Sequence, residues 1–407
     1  MEEVQAPLRI LAVDVGTGTQ DILLFESDRS IENCLQLVMP SPTVIVAERI
    51  RRASAAGQPV LLTGHTMGGG PAAWAARDHA QAGLPCYATP DAARTLDDDL
   101  AAVEALGLRV IGEEDVERVR ATEGARLVEI VLRDLDVAAL ATALGAFGVD
   151  PAVDVIAIAA FDHGAAPPGY SDRAFRFDHI REIVGVRPDP LAFAYRANAL
   201  PADLTRLRAV AADAAGYPAR VDTRHAAEGA RHAPLQDVGP MVVVMDTGAA
   251  AAVGALEDPV VRAHDTALLA NIGNFHTLAF LLHRGRIRAL FEHHTGELDC
   301  PRLEGYLRAL AAGTLDNQTI FDDSGHGALT LDGASAFSAD GRMPFLAVTG
   351  PRRELLRGGA LAPYEAVPHG DMMLAGCYGL LRAVAALHPE HAAAIEGVLG
   401  PVPFSAA

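Results

Sequence analysis

Residues 8–27 read LRILAVDVGTGTQDILLFES, in which two apolar runs flank the short polar turn GTGT. A strand, a glycine turn and a returning strand predict a β-hairpin. Glycines and hydroxyls in such a turn offer backbone N–H donors to phosphate oxygens. Asp14 ends the first strand, where its carboxylate can hold Mg²⁺ through water. An ordinary hairpin turn is the alternative; the predicted phosphate site comprises Asp14, Gly16, Thr17, Gly18, Thr19 and Asp21.

The rest of the first half continues as alternating strands and helices. Apolar runs predict strands at 34–41, 59–64, 108–111 and 153–161. Helical patterns follow at 71–83 and 115–145, and we interpret these elements as the plan β-β-β-α-β-α-β with one additional strand. From residue 163 to 238 prolines interrupt the pattern, and we interpret this segment as an insertion that caps a cleft.

The second half repeats the plan of the first. A buried strand, PMVVVMDTG (240–248), runs into an alanine-rich helix. The hairpin pattern then returns in ALLANIGN (267–274), HTLAFLLHRG (276–285) and RIRALFEHH (286–294). This similarity indicates an internal duplication. The sequence therefore predicts an α/β protein with a first lobe at 1–262, including the insertion, and a second lobe at 263–407.

Composition excludes several functions. The formal net charge of −19 argues against binding nucleic acid or an anionic membrane. The sequence has no lysine, so all 33 basic residues are arginines, and neither a Walker-A loop nor Schiff-base chemistry can operate. An acidic N-terminus and the absence of an 18-residue apolar run predict a cytoplasmic protein.

Three further motifs could carry chemistry. Gly273 and Asn274 lie in a second polar turn between apolar strands, placed to grip phosphates from the other side of a cleft. Asp246 lies between a strand and a helix, where it is either a helix N-cap or a general base. Gly350 lies in a loop after a strand, where a purine could approach the backbone. A plain turn is the alternative for Gly273–Asn274 and for Gly350.

In their order along the chain, these motifs resemble the five nucleotide motifs of the actin/Hsp70/sugar-kinase superfamily. The motifs are Asp14–Asp21, Asp246–Gly254, Ile272–Asn274, Gly350 and Gly376–Gly379. The resemblance implies two RNase H-like lobes with a nucleotide cleft between them, and ATP and Mg²⁺ as cofactors.

Two stretches are also similar to carbohydrate kinases of the xylulokinase and glycerol-kinase group. LTGHTMGG (62–69) is similar to their substrate loop, which implies substrate contacts from His65 and Thr66. DTGAAAAVG (246–254) is similar to their catalytic segment, which implies Asp246 as the base and Asp14 as the magnesium anchor. The chain departs from the kinases at 351–353, where Pro-Arg-Arg replaces glycines of the adenine loop.

Over most of its length the chain resembles a prokaryotic family labelled "putative pyruvate formate-lyase activating enzyme". That label implies radical chemistry with S-adenosylmethionine and a four-iron cluster, which needs three close cysteines. The four cysteines lie far apart, at Cys34, Cys86, Cys300 and Cys377. We therefore reject the activity while accepting the family.

Polar residues beyond the 153–161 strand complete the predicted site, since strand ends face the ligand cleft in α/β folds. They are Asp162, His163 and Arg173, assigned to a substrate. The expected function is ATP-dependent phosphoryl transfer to a small hydroxylated metabolite. A nucleotide-driven switch that activates a partner enzyme, and a ligand-binding relic without hydrolysis, are the alternatives.

Overall fold

The computed structural model describes residues 6–220, 239–331 and 343–402. The last part of the predicted insertion, residues 221–238, lies outside the described residues. The first half of the chain forms, in order, β1 (Arg9–Val15), β2 (Thr19–Glu26), β3 (Leu35–Pro40), α1 (Pro42–Ala55), β4 (Val60–Gly64), α2 (Pro71–Gln81), β5 (Cys86–Ala88), α3 (Pro90–Ala93), α4 (Leu100–Ala105), β6 (Arg109–Val110), α5 (Val116–Glu123), β7 (Val128–Leu132), α6 (Val137–Ala146), β8 (Val155–Ala160), α7 (Asp172–Val186), β9 (Ala194–Arg196), α8 (Thr205–Ala215), β10 (Met241–Asp246), α9 (Thr247–Ala255) and α10 (Pro259–Arg262).

The first lobe is built on a six-stranded sheet in the order β3-β2-β1-β8-β10-β9. The strands β1, β8 and β10 are parallel, while β2 and β3 form the predicted antiparallel hairpins beside them. Both β1 and β8 are buried along their whole length, as expected for parallel strands covered on both faces. The α/β plan is confirmed for this sheet, which contains the predicted strand at 153–161 as β8, but β10 and not the predicted strand at 108–111 lies beside it.

Two assignments inside that pattern were wrong. The strands β4 and β6 join a separate parallel sheet, in the order β6-β5-β4-β7, inserted between β3 and β8. Its strand β7 falls within residues 115–145, which the pattern predicted as helical. The five residues of β7, VEIVL, are too few for their pattern to distinguish a strand from a helix. Periodicity also does not specify which sheet a strand joins.

The second lobe repeats the arrangement of the first. The second half of the chain forms, in order, β11 (Thr266–Ile272), β12 (His276–His283), β13 (Arg286–His294), α11 (Cys300–Ala311), α12 (Asn317–Asp322), β14 (Gly327–Thr330), β15 (Phe345–Thr349), β16 (Tyr364–Glu365), α13 (Ala375–Leu387) and α14 (Pro389–Leu399). The sheet order is β14-β13-β12-β11-β15-β16, with β15 parallel to β11 and the hairpins on the other side. The fold is therefore α/β with two lobes of the same plan, while the exact boundary at residue 262 stays a prediction.

The helices α9 and α13 pack against each other at the junction of the lobes. A Cβ atom on Gly254 would lie 1.7 Å from the Ala375 carbonyl oxygen, and one on Gly379 would lie 2.0 Å from the Ala250 carbonyl oxygen. Only glycine allows this approach, so the helix pair is closely packed. One apolar core includes residues from both sheets and both helices. Among the described helices, none combines the length and apolar character needed to cross a membrane.

Candidate functional site

A cleft of about 460 Å³ lies where the turns of the two lobes meet. Both predicted phosphate turns line it, together with the carboxylates at the foot of the first turn. The predicted residues that line the cleft are Asp14, Gly16, Thr17, Thr19, Asp21, Asp162, His163, Gly273, Asn274 and Gly350. Gly18 lies between lining residues.

The two turns have the same hydrogen-bond pattern and touch each other. The Gly16 amide donates to the Thr19 carbonyl at 2.9 Å, and the Gly273 amide donates to the His276 carbonyl at 2.9 Å. A Cβ on Gly18 would lie 2.7 Å from Asn274 Nδ2, so a larger residue would displace the Asn274 side chain. Within the described residues, the Thr17, Gly18 and Asn274 amides have no hydrogen-bond acceptor. These amides are therefore available to phosphate oxygens.

Asp14 and Asp21 form a buried carboxylate pair. They lie opposite each other in the β1–β2 register, and both are less than 10% exposed. Burial raises the pKa of Asp14 to about 7, although the Thr247 hydroxyl donates to Asp14 Oδ1 at 2.6 Å and lowers it. Burial, followed by the charge of Asp14, raises the pKa of Asp21 to about 8. Asp21 Oδ1 is buried and has no hydrogen-bond partner among the described residues. The pair fits a hard divalent cation, which prefers oxygen ligands.

The position of Asp14 depends on a glycine of the second lobe. A Cβ on Gly376, at the start of α13, would lie 1.8 Å from Asp14 Oδ2. The Asp14 carboxylate therefore occupies the space that a side chain at position 376 would need. The motif Gly376–Gly379 contributes to the site by this close approach.

Asp246 caps α9 and is engaged through both carboxylate oxygens. Oδ1 accepts from the Gly248 amide at 2.9 Å and the Ala249 amide at 3.2 Å, as a helix N-cap does. Oδ2 pairs with Arg176 Nη2 at 2.9 Å. Asp246 is buried and is not among the side chains that line the cleft. The N-cap interpretation is therefore what the geometry shows, and action as a base would require Arg176 to release Oδ2.

Arg176, which the sequence suggested only as a possible substrate contact beside Arg173, is the centre of a polar network. It makes two hydrogen bonds of 2.7 Å to Glu292 of β13, and a third of 2.7 Å to the Asp162 carbonyl. Its guanidinium lies 3.8 Å from the centre of the Phe161 ring. Since α7 follows β8 and Glu292 is in the second lobe, the network joins the two lobes. The sequence pattern gives no indication of partners so far along the chain.

The predicted substrate residues have different positions. Asp162 lines the cleft, but its two oxygens accept from the Gly164 and Leu207 amides at 2.8 Å each. His65 is exposed, and neither it nor Thr66 lines the cleft; the same loop reaches the cleft through residues 67–70. Arg173 lies outside the cleft and donates to the Phe321 and Gly325 carbonyls. Of these residues, His163 alone points a free ring toward the cleft.

The Gly350 loop forms an apolar side of the cleft. Gly350 has φ = 95°, and a Cβ there would lie 2.5 Å from the Ile272 carbonyl oxygen. Pro351, Met372 and Met373 line the cleft beside it. Such a surface suits the flat face of an aromatic ligand.

His163 belongs to a group of cleft histidines that the sequence did not reveal. His276 and His294 also line the cleft, and the ring of His326 lies 5.1 Å from that of His276. Burial lowers the pKa of His163 to about 3 and those of His276 and His326 well below the usual value, so these three rings are neutral. The adjacent histidines on β13 face opposite ways: His293 Nε2 lies 3.3 Å from Asp323, whereas His294 faces the cleft.

Comparison with known proteins identifies a family and several distant structures. The family profile described as "Putative pyruvate format-lyase activating enzyme (DUF1786)" matches residues 67–355. No curated protein matches the sequence.

Three solved structures illustrate the distant matches. The ROK hexokinase from Thermus thermophilus has 12% identity and a TM-score of 0.25, over 96% of this chain and 97% of that one. A carbohydrate kinase from Novosphingobium aromaticivorans has 13% identity and a TM-score of 0.24, over 94% and 88%. The Aquifex aeolicus PPX-GPPA enzyme has 8% identity and a TM-score of 0.22, over 84% and 68%. At these TM-scores the superpositions carry no argument about function.

Proposed function

The chain belongs to the DUF1786 family, whose profile covers well over half of it, and we propose that it binds a Mg²⁺–nucleotide and transfers a phosphoryl group to a small hydroxylated metabolite. The activity in the family's description is not part of the proposal. In the structure Cys34 precedes β3, while Cys86, Cys300 and Cys377 lie on β5, α11 and α13. Three of the four are buried, so these residues do not fit an iron–sulfur cluster.

The observation that carries the proposal is the buried pair Asp14 and Asp21 facing the second turn. Two carboxylates with raised pKa values in one cleft are an unfavourable arrangement unless a cation neutralises them. Asp14 and Asp21 would hold Mg²⁺, which when bound neutralises charge on phosphate oxygens. The amides of Thr17, Gly18 and Asn274 would hold the phosphates from both lobes.

The remaining parts of the cleft suit the rest of a nucleotide and its acceptor. The apolar surface beside Gly350 and Met372 would hold the base, as the sequence motif suggested.

Phosphoryl transfer depends mainly on positioning and on electrostatic stabilisation. We therefore assign Asp246 a positioning role through Arg176 and the N-terminus of α9.

A nucleotide-driven switch is the second candidate, and one contact favours it. Asp246 is held by Arg176, which also binds Glu292 of the opposite lobe. A change in the angle between the lobes would alter this contact without any acceptor being activated. Such a protein would hydrolyse ATP slowly and respond to a partner enzyme.

Calorimetry of ADP and ATP binding with and without Mg²⁺ tests the shared proposal. We expect Asp21→Asn to weaken binding of the Mg²⁺ complex by at least about 10-fold, the loss of one charge-assisted contact, and to leave Mg²⁺-free nucleotide binding unchanged. Asp28→Asn, which removes an exposed carboxylate just after β2, is the matched control. Absence of nucleotide binding by the wild type would overturn the proposal.

Product analysis then separates the two candidates. Incubation of the wild type with labelled ATP and pooled hydroxylated metabolites should give a labelled phosphate ester. Inorganic phosphate as the sole product, with or without the metabolites, favours the switch instead.

A further inference from the structure

Three histidines from both lobes converge beside the cleft. His163 lies in the loop after β8, His276 begins β12, and His326 immediately precedes β14. One nitrogen of each ring lies within 4.8 Å of the others. The residues are widely separated in sequence, so the fold alone brings them together.

Ring nitrogens in this cluster lack partners. His276 Nε2 and both nitrogens of His326 are buried, with no hydrogen bond from any described residue. Burying a polar atom without a partner costs on the order of 1–3 kcal/mol. Packing accounts for the position of the His276 ring, which stacks on Phe161 with 3.8 Å between the ring centres. Stacking, however, does not satisfy the nitrogens in the ring plane.

A fourth ring is oriented toward the same group. The ring of His294 lies 4.7 Å from that of His326. Its Nδ1 lies 2.7 Å from the Ser324 carbonyl oxygen, which can only accept, so Nδ1 carries the proton. The neutral ring then has its lone pair on Nε2, which is how a supporting carbonyl orients a ligating histidine.

The two arginines beside the rings are both paired with carboxylates. Arg176 pairs with Glu292 and Asp246, so one guanidinium faces two carboxylates. Arg206 pairs with Asp134 through two hydrogen bonds of 2.6 and 3.0 Å. Beyond the effect of burial, Arg176 lowers the pKa of all three rings and Arg206 lowers the pKa of two of them, but their own ion pairs with carboxylates compensate part of that charge.

We propose that His163, His276 and His326 bind a divalent first-row transition-metal ion, with Zn²⁺ as the reference ion, between the two lobes. Imidazole suits such ions, whereas Mg²⁺ prefers the oxygens of Asp14 and Asp21. Tetrahedral Zn²⁺ with bonds of about 2.0–2.1 Å places its ligand nitrogens roughly 3.4 Å apart. From separations of at most 4.8 Å, the ring nitrogens must therefore approach by up to about 1.4 Å. Three protein ligands leave one position open to the cleft, as in catalytic zinc sites.

Cobalt titration of the chelator-treated protein tests the proposal directly. Tetrahedral Co²⁺ bound by nitrogen absorbs visible light, and Zn²⁺ should displace it. We expect one equivalent to bind the wild type. The variants His163→Gln, His276→Gln and His326→Gln should each lose more than about 10-fold in affinity, because even residues supporting a ligand contribute about 10- to 100-fold.

His293→Gln is the matched control, because His293 is a buried histidine on β13 that faces away from the cluster. It should retain the metal even if its stability falls. If the wild type binds no stoichiometric metal, or if the cluster variants bind as well as His293→Gln, the rings serve packing alone and the proposal is wrong. Should the variants fail to fold, anomalous diffraction from zinc-soaked wild-type crystals decides: a peak among the three rings supports the site, and its absence overturns it.

Discussion

Replacing Asp14 by asparagine should make the cation-free protein more stable at about pH 8 than the wild type. The pKa of Asp14 is raised from 3.8 to about 7, chiefly by burial. A group whose folded pKa is raised contributes stability below its unfolded pKa and loses it as the pH rises through the folded value. At about 1.36 kcal/mol for each tenfold change in proton affinity, ionising Asp14 costs roughly 4 kcal/mol. The asparagine side chain of the variant avoids that cost, and its amide oxygen can still accept from the Thr247 hydroxyl.

The measurement is the difference in unfolding free energy between the wild type and Asp14→Asn in chelator, followed from about pH 4 to about pH 8. As the pH rises across this range, the unfolding free energy of Asp14→Asn should increase relative to that of the wild type by up to roughly 4 kcal/mol. Asp28→Asn controls for the change in net charge. Mg²⁺ should restore wild-type stability at high pH and leave the variant unaffected. A difference that is constant with pH, or that moves in favour of the wild type, would refute the electrostatic account of the pair.

Three further results are expected. Gly376→Ala should reduce Mg²⁺–nucleotide affinity by at least about 10-fold, because its Cβ would displace the Asp14 carboxylate; Gly397→Ala, a helical glycine with open space around its Cβ position, should leave calorimetric affinity unchanged. Arg176→Met should cost about 3–5 kcal/mol in denaturant unfolding, since it leaves buried carboxylates unpaired, and a loss below about 1 kcal/mol would contradict the network. Under native conditions a thiol reagent should modify Cys300 first, because the other three cysteines are buried; mass spectrometry of the digested protein identifies the site.

Local patterns predicted the hairpins and therefore the arrangement of both lobes. Val15 pairs with Gln20 as the turn chemistry required, and Ile272 pairs with Thr277 in the repeat. The sequence could not assign β4 to its sheet, because hydrophobic periodicity contains no information on strand partners. The sequence also could not decide whether Asp246 is a helix N-cap or a general base. The contact that bears on this choice comes from Arg176, which lies far earlier in the chain on another helix.

The histidine cluster is a further case in which local sequence patterns do not reveal long-range contacts. His163, His276 and His326 each look like an isolated ring in the sequence, and only long-range packing brings them together. The opposite orientations of His293 and His294, by contrast, follow from the alternation of side chains along one strand. Local rules therefore predicted the turns and which face a side chain occupies, while clusters assembled from both lobes needed the three-dimensional structure.

The packing of α13 has a consequence for synthesis of the chain on the ribosome. Cys377 of α13 contacts the Ala12 carbonyl of β1, 365 residues earlier. At about 5–20 residues per second, translation takes roughly 20 to 70 s to cover that distance. Throughout this time the face of the first sheet that α13 will cover remains exposed. The nascent protein should therefore depend on chaperones until its last quarter has emerged.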